Sequence, residues 1–181
     1  MIDYIGNCSN IINWDEIILQ CANSEPDYIG PSHKKEDNIP GLDQVATIWE
    51  KAGYKNLSEG GTVGWGMFIP GKQFDERSVT KFCELFKIDQ YHTAWISKIN
   101  VGHFAPWHWD VNDHEVELSK LPPKVRFHSH ISKPQFGHVF IANGKCFYNQ
   151  QQGSTYKWGD RRYWHAGTNC GLEPKYIFNL W

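Results

Sequence analysis

The sequence predicts an α+β domain, mainly β, in which helices at the front pack against a C-terminal β-sandwich or jelly roll. Three observations carry this expectation. The first 90 residues hold helix-like apolar periodicity separated by Gly- and Pro-rich connections. From about residue 91 the chain turns to short β-type runs broken by turns, the pattern of a sandwich or jelly roll. The composition, 40% hydrophobic and 21% charged in 181 residues, is that of one ordinary globular domain with a proper core.

Three helices are expected in residues 1–90. Asn13-Trp14-Asp15-Glu16 opens an apolar-periodic run to about Ala22. Gly41-Leu42-Asp43 opens a second, Gln44 to Ala52, closed by Gly53. Phe74 to Phe86 is the third, with Asp75 and Glu76 at its start, where the helix dipole favours acids. In the second half the expected strands are Tyr91–Val101, Lys124–Ser132, Gly137–Ala142, Lys145–Asn149, Arg162–His165 and Lys175–Trp181. Asn143-Gly144 between two of them is a two-residue hairpin signal.

Composition also excludes. A net charge of −2 and a pI near 6.5 give no basic face for nucleic acid. Five cysteines, an odd number without CxxC spacing, argue against a disulfide scaffold or a structural zinc knuckle. The N-terminus lacks the pattern of a signal peptide, and no apolar stretch approaches the ~20 residues of a membrane span. A reduced, soluble, cytoplasmic protein is expected.

The chemistry concentrates in Gly102-His103-Phe104-Ala105-Pro106-Trp107-His108-Trp109-Asp110. On a strand, residues two apart share a face, ~6.5 Å between Cα atoms. His108 and Asp110 then aim an imidazole and a carboxylate into one space, with Trp107 and Trp109 turned away. His165, in a late β-run, supplies a third ligand from a distant strand. Two His and one carboxylate on one face of an octahedron leave three adjacent positions open, the arrangement of non-haem Fe(II) oxygenases. An isolated HxD is a common tripeptide, so the pair alone decides little.

Four spaced elements together add weight. Residues from about 91 onward resemble the 2-oxoglutarate/Fe(II)-dependent oxygenases, most of all their aspartyl/asparaginyl β-hydroxylase branch. The carriers are His108-x-Asp110, the distal His165, the basic Lys175 ten positions beyond it, and Arg126-Phe127-His128. The ending also fits: Trp164-His165-Ala166-Gly167-Thr168-Asn169, then Lys175-Tyr176-Ile177-Phe178-Asn179-Leu180-Trp181. The resemblance implies a double-stranded β-helix core over residues 91–181; residues 1–90, which it does not cover, are expected to form a helical or mixed region that supports this core. It implies Fe(II) on His108, Asp110 and His165. Lys175, with Arg126 and His128, would hold the far carboxylate of 2-oxoglutarate, and Asn169 would either touch it or cap a turn. Dioxygen would be the second co-substrate, and an Asp, Asn or Pro side chain in a peptide, or a free amino-acid-like molecule, the substrate. Two departures stand out. The branch often has Arg in place of Lys175, and Asn112-Asp113-His114-Glu115-Val116-Glu117 lengthens the interval before Arg126.

The remaining candidates have plainer readings. His103 is turned away by strand alternation, and Asp113-His114-Glu115 reads as a solvated loop. His130 shares a face with Arg126 and His128, lining the same pocket or serving structure; His138 reads as structural. Arg161 and Arg162 form a solvated turn or touch a substrate carboxylate. Trp65, Trp95, Trp107, Trp109, Trp158 and Trp164 are expected mostly in the core. Two other functions remain open: a metal-dependent cupin-type enzyme that does not use 2-oxoglutarate, and a non-catalytic jelly-roll binding domain.

Overall fold

The computed structural model describes residues 2–30, 49–55, 57, 60–108, 125–159 and 164–181. In chain order these hold β1 (Asp3–Asn7), α1 (Trp14–Ala22), β2 (Tyr28–Gly30), β3 (Trp65–Phe68), α2 (Arg77–Phe86), β4 (Ala94–Ile99) and β5 (Phe104–His108). There follow β6 (Arg126–His130), β7 (His138–Ala142), β8 (Lys145–Phe147), β9 (Ser154–Trp158), β10 (His165–Asn169) and β11 (Lys175–Leu180). The strands form two antiparallel sheets. The larger runs β1-β9-β6-β11-β4-β3-β2 and the smaller β5-β10-β7-β8.

Helix α1 starts where the sequence places it, because the Asn13 side chain accepts from the Glu16 N–H and satisfies an orphan donor of the first turn. Helix α2 begins three residues later than periodicity suggests. Phe74 is held in a preceding turn by its carbonyl bond to the Gly71 N–H, and Asp75 caps the Arg77 N–H. Of the expected helix Gln44–Ala52, residues 49–51 are helical and 44–48 lie outside the described residues. Asn143 and Gly144 both take positive φ, 46° and 76°, which only a primed turn requires, and they join β7 to β8 as the sequence implies.

Several expectations are corrected. The front of the chain is not only helical: β1 forms one edge of the large sheet, while β2 and β3 extend the other. Strand β9 falls in Ser154-Thr155-Tyr156-Lys157-Trp158, where no strand is expected above. It pairs with β1 and β6, and Thr155, Tyr156 and Trp158 are of types that strands favour. Of the late run expected over Arg162–His165, His165 opens a strand that reaches Asn169 through Gly167, and residues 160–163 lie outside the described residues. Pairing on both sides, to β5 and β7, holds this glycine-containing segment extended.

The core lies on one face of the large sheet. Phe127, Tyr176, Phe178 and Leu180 pack against Trp14 and Ile17 of α1 and Val79 and Phe82 of α2. Ring centroids of Trp14 and Phe178 are 5.5 Å apart, and those of Phe82 and Phe178 are 4.8 Å apart. Period-2 alternation sends the intervening residues Arg126, His128, His130, Lys175, Ile177 and Asn179 to the opposite face, toward the small sheet. All six residues of β11 and all five of β6 are buried, so both faces of these strands are covered. All five cysteines are free.

Candidate active site

The antiparallel register pairs His108 on β5 directly with His165 on β10, and their ring centroids are 4.3 Å apart. Two residues separated by 57 positions thus share one interior face. His108 Nδ1 lies 2.6 Å from the Pro106 carbonyl, a bond that places the proton on Nδ1 and the lone pair on Nε2. Burial lowers the His108 pKa to about 4, against the opposing effect of that carbonyl. The ring is therefore neutral at physiological pH, as a metal ligand must be. Trp107, beside it, is 46% exposed, as strand alternation demands.

Asp110, the third sequence-predicted ligand, lies outside the described residues, as do Trp109, His114 and Arg161 and Arg162. Among the described residues no group of three or more His, Cys, Asp and Glu is placed to hold a metal ion. Two of the three proposed ligands are brought together by the fold.

Lys175 is completely buried at the start of β11. Its ammonium donates to the Val139 carbonyl at 2.6 Å and has no acidic partner among the described residues. Burial lowers its pKa to about 7. A buried cation without a counter-charge is costly, and an anion delivered to it would restore the charged form. Gly167, two residues along β10 from His165, lines the path between: a Cβ built there would sit 3.8 Å from Lys175 Nζ. Two strand residues span ~6.5 Å, the reach of a small dicarboxylic acid.

Arg126, also buried, donates through Nη2 to Asn179 Oδ1 at 3.1 Å. Its guanidinium lies 5.3 Å from the Trp95 ring and 5.6 Å from that of Trp158. Burial lowers its pKa, yet it stays charged at neutral pH. Asn179 is four residues along β11 from Lys175, ~13 Å of strand, so the register separates two cations that the sequence assigned to one carboxylate. Arg126 belongs to the end near His108, where its charge also acts. His128 lies between, stacked on Phe140 with centroids 4.1 Å apart. Burial, then the charges of Arg126 and Lys175, hold its pKa well below the usual value.

The structure gives Asn169 the turn-capping role. Its Nδ2 donates to the Ile99 and Glu173 carbonyls, at 2.9 and 2.8 Å, and its Oδ1 accepts from the Gly171 N–H. Both amide atoms are bonded, one tie reaching Ile99 on β4 and two closing the turn before β11. His103 sits in the turn before β5, its backbone bonded to Asn100 and Asn169. Trp164, like Trp107, is about half exposed rather than core, because both neighbour inward-facing histidines and therefore face outward.

Sequence reasoning missed Trp49 and took Trp65 for core. Trp65 is stacked against His108, with centroids 6.1 Å apart and planes at 15°, and Trp49 meets the same ring edge-on at 5.5 Å. Trp49 Nε1 also donates to the Trp107 carbonyl. No local signal marks either residue; Trp65 reaches the site through long-range pairing, of β3 with β4 and of Thr62 and Gly64 with Phe104 at the start of β5.

No protein-family model and no curated protein matches the chain. Among solved structures it is similar to viral collagen prolyl hydroxylase from Paramecium bursaria Chlorella virus-1 in complex with 2OG. Identity there is 17%, over 65% of this chain and 78% of that one, with a TM-score of 0.44. It is also similar to an oxidoreductase of the 2OG-Fe(II) oxygenase family from Burkholderia pseudomallei (11% identity, 59% of this chain, 50% of that one, TM-score 0.38). A predicted oxalate decarboxylase from Thermotoga maritima is similar at 13% identity, over 65% of this chain and 78% of that one, with a TM-score of 0.39. Likenesses this distant fix neither family nor reaction. No helix among the described residues is long and apolar enough to cross a membrane.

Proposed function

We propose that this chain is an Fe(II)- and 2-oxoglutarate-dependent dioxygenase on a double-stranded β-helix core. Its substrate would be a peptide or free amino-acid-like molecule, hydroxylated at a C–H bond as in the aspartyl/asparaginyl β-hydroxylases. One observation carries the reading: paired His108 and His165 share an interior with a fully buried Lys175 that lacks an acidic partner among the described residues. From β4 to β11 the chain passes repeatedly between the two sheets, large, small, large, small, small, large, small, large, which supports the β-helix reading.

Paired His108 and His165, with the buried Lys175, support this reading for both groups. His108, His165 and Asp110 would hold the metal, and Lys175 would receive the distal carboxylate of 2-oxoglutarate. When bound, the two together supply oxygen activation and C–H hydroxylation, with release of succinate and CO2. The chain's own contribution is positional. The Pro106 carbonyl fixes the His108 tautomer, and Trp49 and Trp65 restrict the ring's rotation. Lys175 regains its proton as the carboxylate arrives, so the charge is made where it is neutralised. Arg126, at the opposite end, would receive the near carboxylate of the co-substrate or one on the substrate. Phe140 and Trp158, both buried, keep the space between them dry.

Anaerobic addition of Fe(II) and 2-oxoglutarate should produce a weak visible charge-transfer band. In His108→Ala both the band and succinate formation should disappear; a variant that keeps both sinks the assignment. Lys175→Ala should raise the KM for 2-oxoglutarate at least tenfold while metal binding persists. Substrate-stimulated succinate formation over a panel of peptides and amino acids identifies what is oxidised.

A further inference from the structure

Strands β1 and β8 are the last strands of their sheets. Among the described residues each pairs on one side only, β1 with β9 and β8 with β7. Their outer N–H and C=O groups are open, as at any sheet edge. Residues of both strands line a cleft of about 430 Å³, a usual size for a ligand site. Tyr4 of β1 and Tyr156 of β9 stand opposite each other in the register, with ring centroids 5.5 Å apart. Phe147 of β8 meets Tyr156 edge-on at 4.9 Å. Phe147 and Tyr156 pack on the buried cluster of Phe140 and Trp158 and form the floor. Tyr4 and Tyr148, 59% and 67% exposed, stand at the mouth. Phe140 intervenes between the cleft and the candidate metal centre, its ring 5.8 Å from Phe147 and 6.2 Å from His165.

Two properties of the lining define what fits. None of the described residues that form it is charged; the rings alternate with Cys, Asn, Gln and Ser side chains. A charged ligand would lose water there without a counter-charge, so the occupant is neutral. The second property is an idle amide. Gln150 lines the cleft and is 6% exposed, and neither its amide nitrogen nor its amide oxygen has a hydrogen-bond partner among the described residues. Buried polar groups are almost all bonded, so this amide lacks a partner that both accepts and donates. A peptide unit does both. An extended peptide also matches the open edge: added beside β1, it would pair its backbone and turn alternate side chains into the cleft.

We propose that the cleft between β1 and β8 is a second binding site, separate from the His108–His165 centre, for an extended and uncharged peptide segment added alongside β1. Tyr4 and Tyr148 flank its side chains, and Gln150 bonds one of its peptide units. Occupancy requires neither metal nor 2-oxoglutarate.

The test uses the whole chain and an end-capped, fluorescein-labelled peptide of alternating Val and Thr. Fluorescence anisotropy should show saturable binding. Tyr148→Ala, a change at the surface, should weaken it about tenfold, and so should Gln150→Leu, which keeps the volume and removes the amide. In 15N-labelled protein the side-chain amide resonances of Gln150 should shift on saturation. The same peptide N-methylated throughout cannot donate to a strand edge and should not bind. His108→Ala should bind the peptide as the wild type does. Absence of binding to the wild-type chain, stationary Gln150 resonances, or equal binding of the N-methylated peptide overturns the proposal. Tighter binding of a neutral oligosaccharide such as maltoheptaose, which rings and amides also suit, overturns it in favour of a sugar site.

Discussion

The two faces of strands β6 and β11 are built from the same short stretches of chain yet follow opposite rules. On the helix side, Phe127, Tyr176, Phe178 and Leu180 interlock with Trp14 and Phe82 in an apolar cluster. On the other side, Arg126, His128, His130, Lys175 and Asn179 are equally buried but polar. Burial of the first set drives folding. Burial of the second opposes it, since each ionisable group loses water without full compensation. Within one sheet, then, one face supplies stability and the other gives some of it up at the proposed binding site. A domain that tolerates five such polar residues does so because the apolar face is large.

Substitutions on the two faces should therefore change stability with opposite signs. The largest effect is expected at Phe178, which touches both helices. Phe178→Ala should lower unfolding free energy by about 3–5 kcal/mol in urea titrations, and a loss below about 1 kcal/mol would mean that the cluster is not the core. Next comes Lys175→Met, which removes a buried cation and keeps its volume. Chemical denaturation in the absence of 2-oxoglutarate should show equal or higher stability, by up to about 3 kcal/mol, together with loss of co-substrate binding. Lower stability in that variant would indicate a structural role for the ammonium.

A smaller effect is set by pH. His130 titrates at about 3 in the folded chain, and its ordinary value is 6.5. The unfolded chain therefore binds the proton first, and stability is lost as pH falls from 6.5 toward 3. Between pH 8 and pH 5 this one group should cost about 2 kcal/mol, and His130→Phe should flatten the pH dependence by that amount. The smallest change is expected at Asn169, outside both faces. Asn169→Ala removes three hydrogen bonds and should cost about 1–2 kcal/mol, while the KM for 2-oxoglutarate stays near the wild-type value once the chain is folded.

How much of this was legible in the sequence depends on the range of the deciding interaction. Helix α1 was readable because its cap and periodicity are local, and the hairpin at Asn143-Gly144 because two residues with positive φ specify it. The glycine-containing β10 was not, since pairing to β5 and β7 holds it extended. At the site, the spacing of His108, His165, Lys175 and Arg126 pointed to one pocket. It could not say that Arg126 and Lys175 stand at different ends, or that Trp49 and Trp65 flank His108. Asn169 shows the limit most clearly: its residue type suits a ligand or a turn equally well, and three hydrogen bonds decide for the turn.

By itself, the sequence determined which residues alternate between faces, because a period of two is a property of the extended backbone. It also determined the types of side chain available for chemistry, two imidazoles and a basic anchor at recognisable intervals. Only the tertiary structure decided which alternating set would meet water, helix or the opposite sheet. That choice made His108 and His165 partners across β5 and β10 and buried Lys175 without an acidic partner among the described residues. Register between strands far apart in the chain fixes such contacts, and no local propensity encodes register.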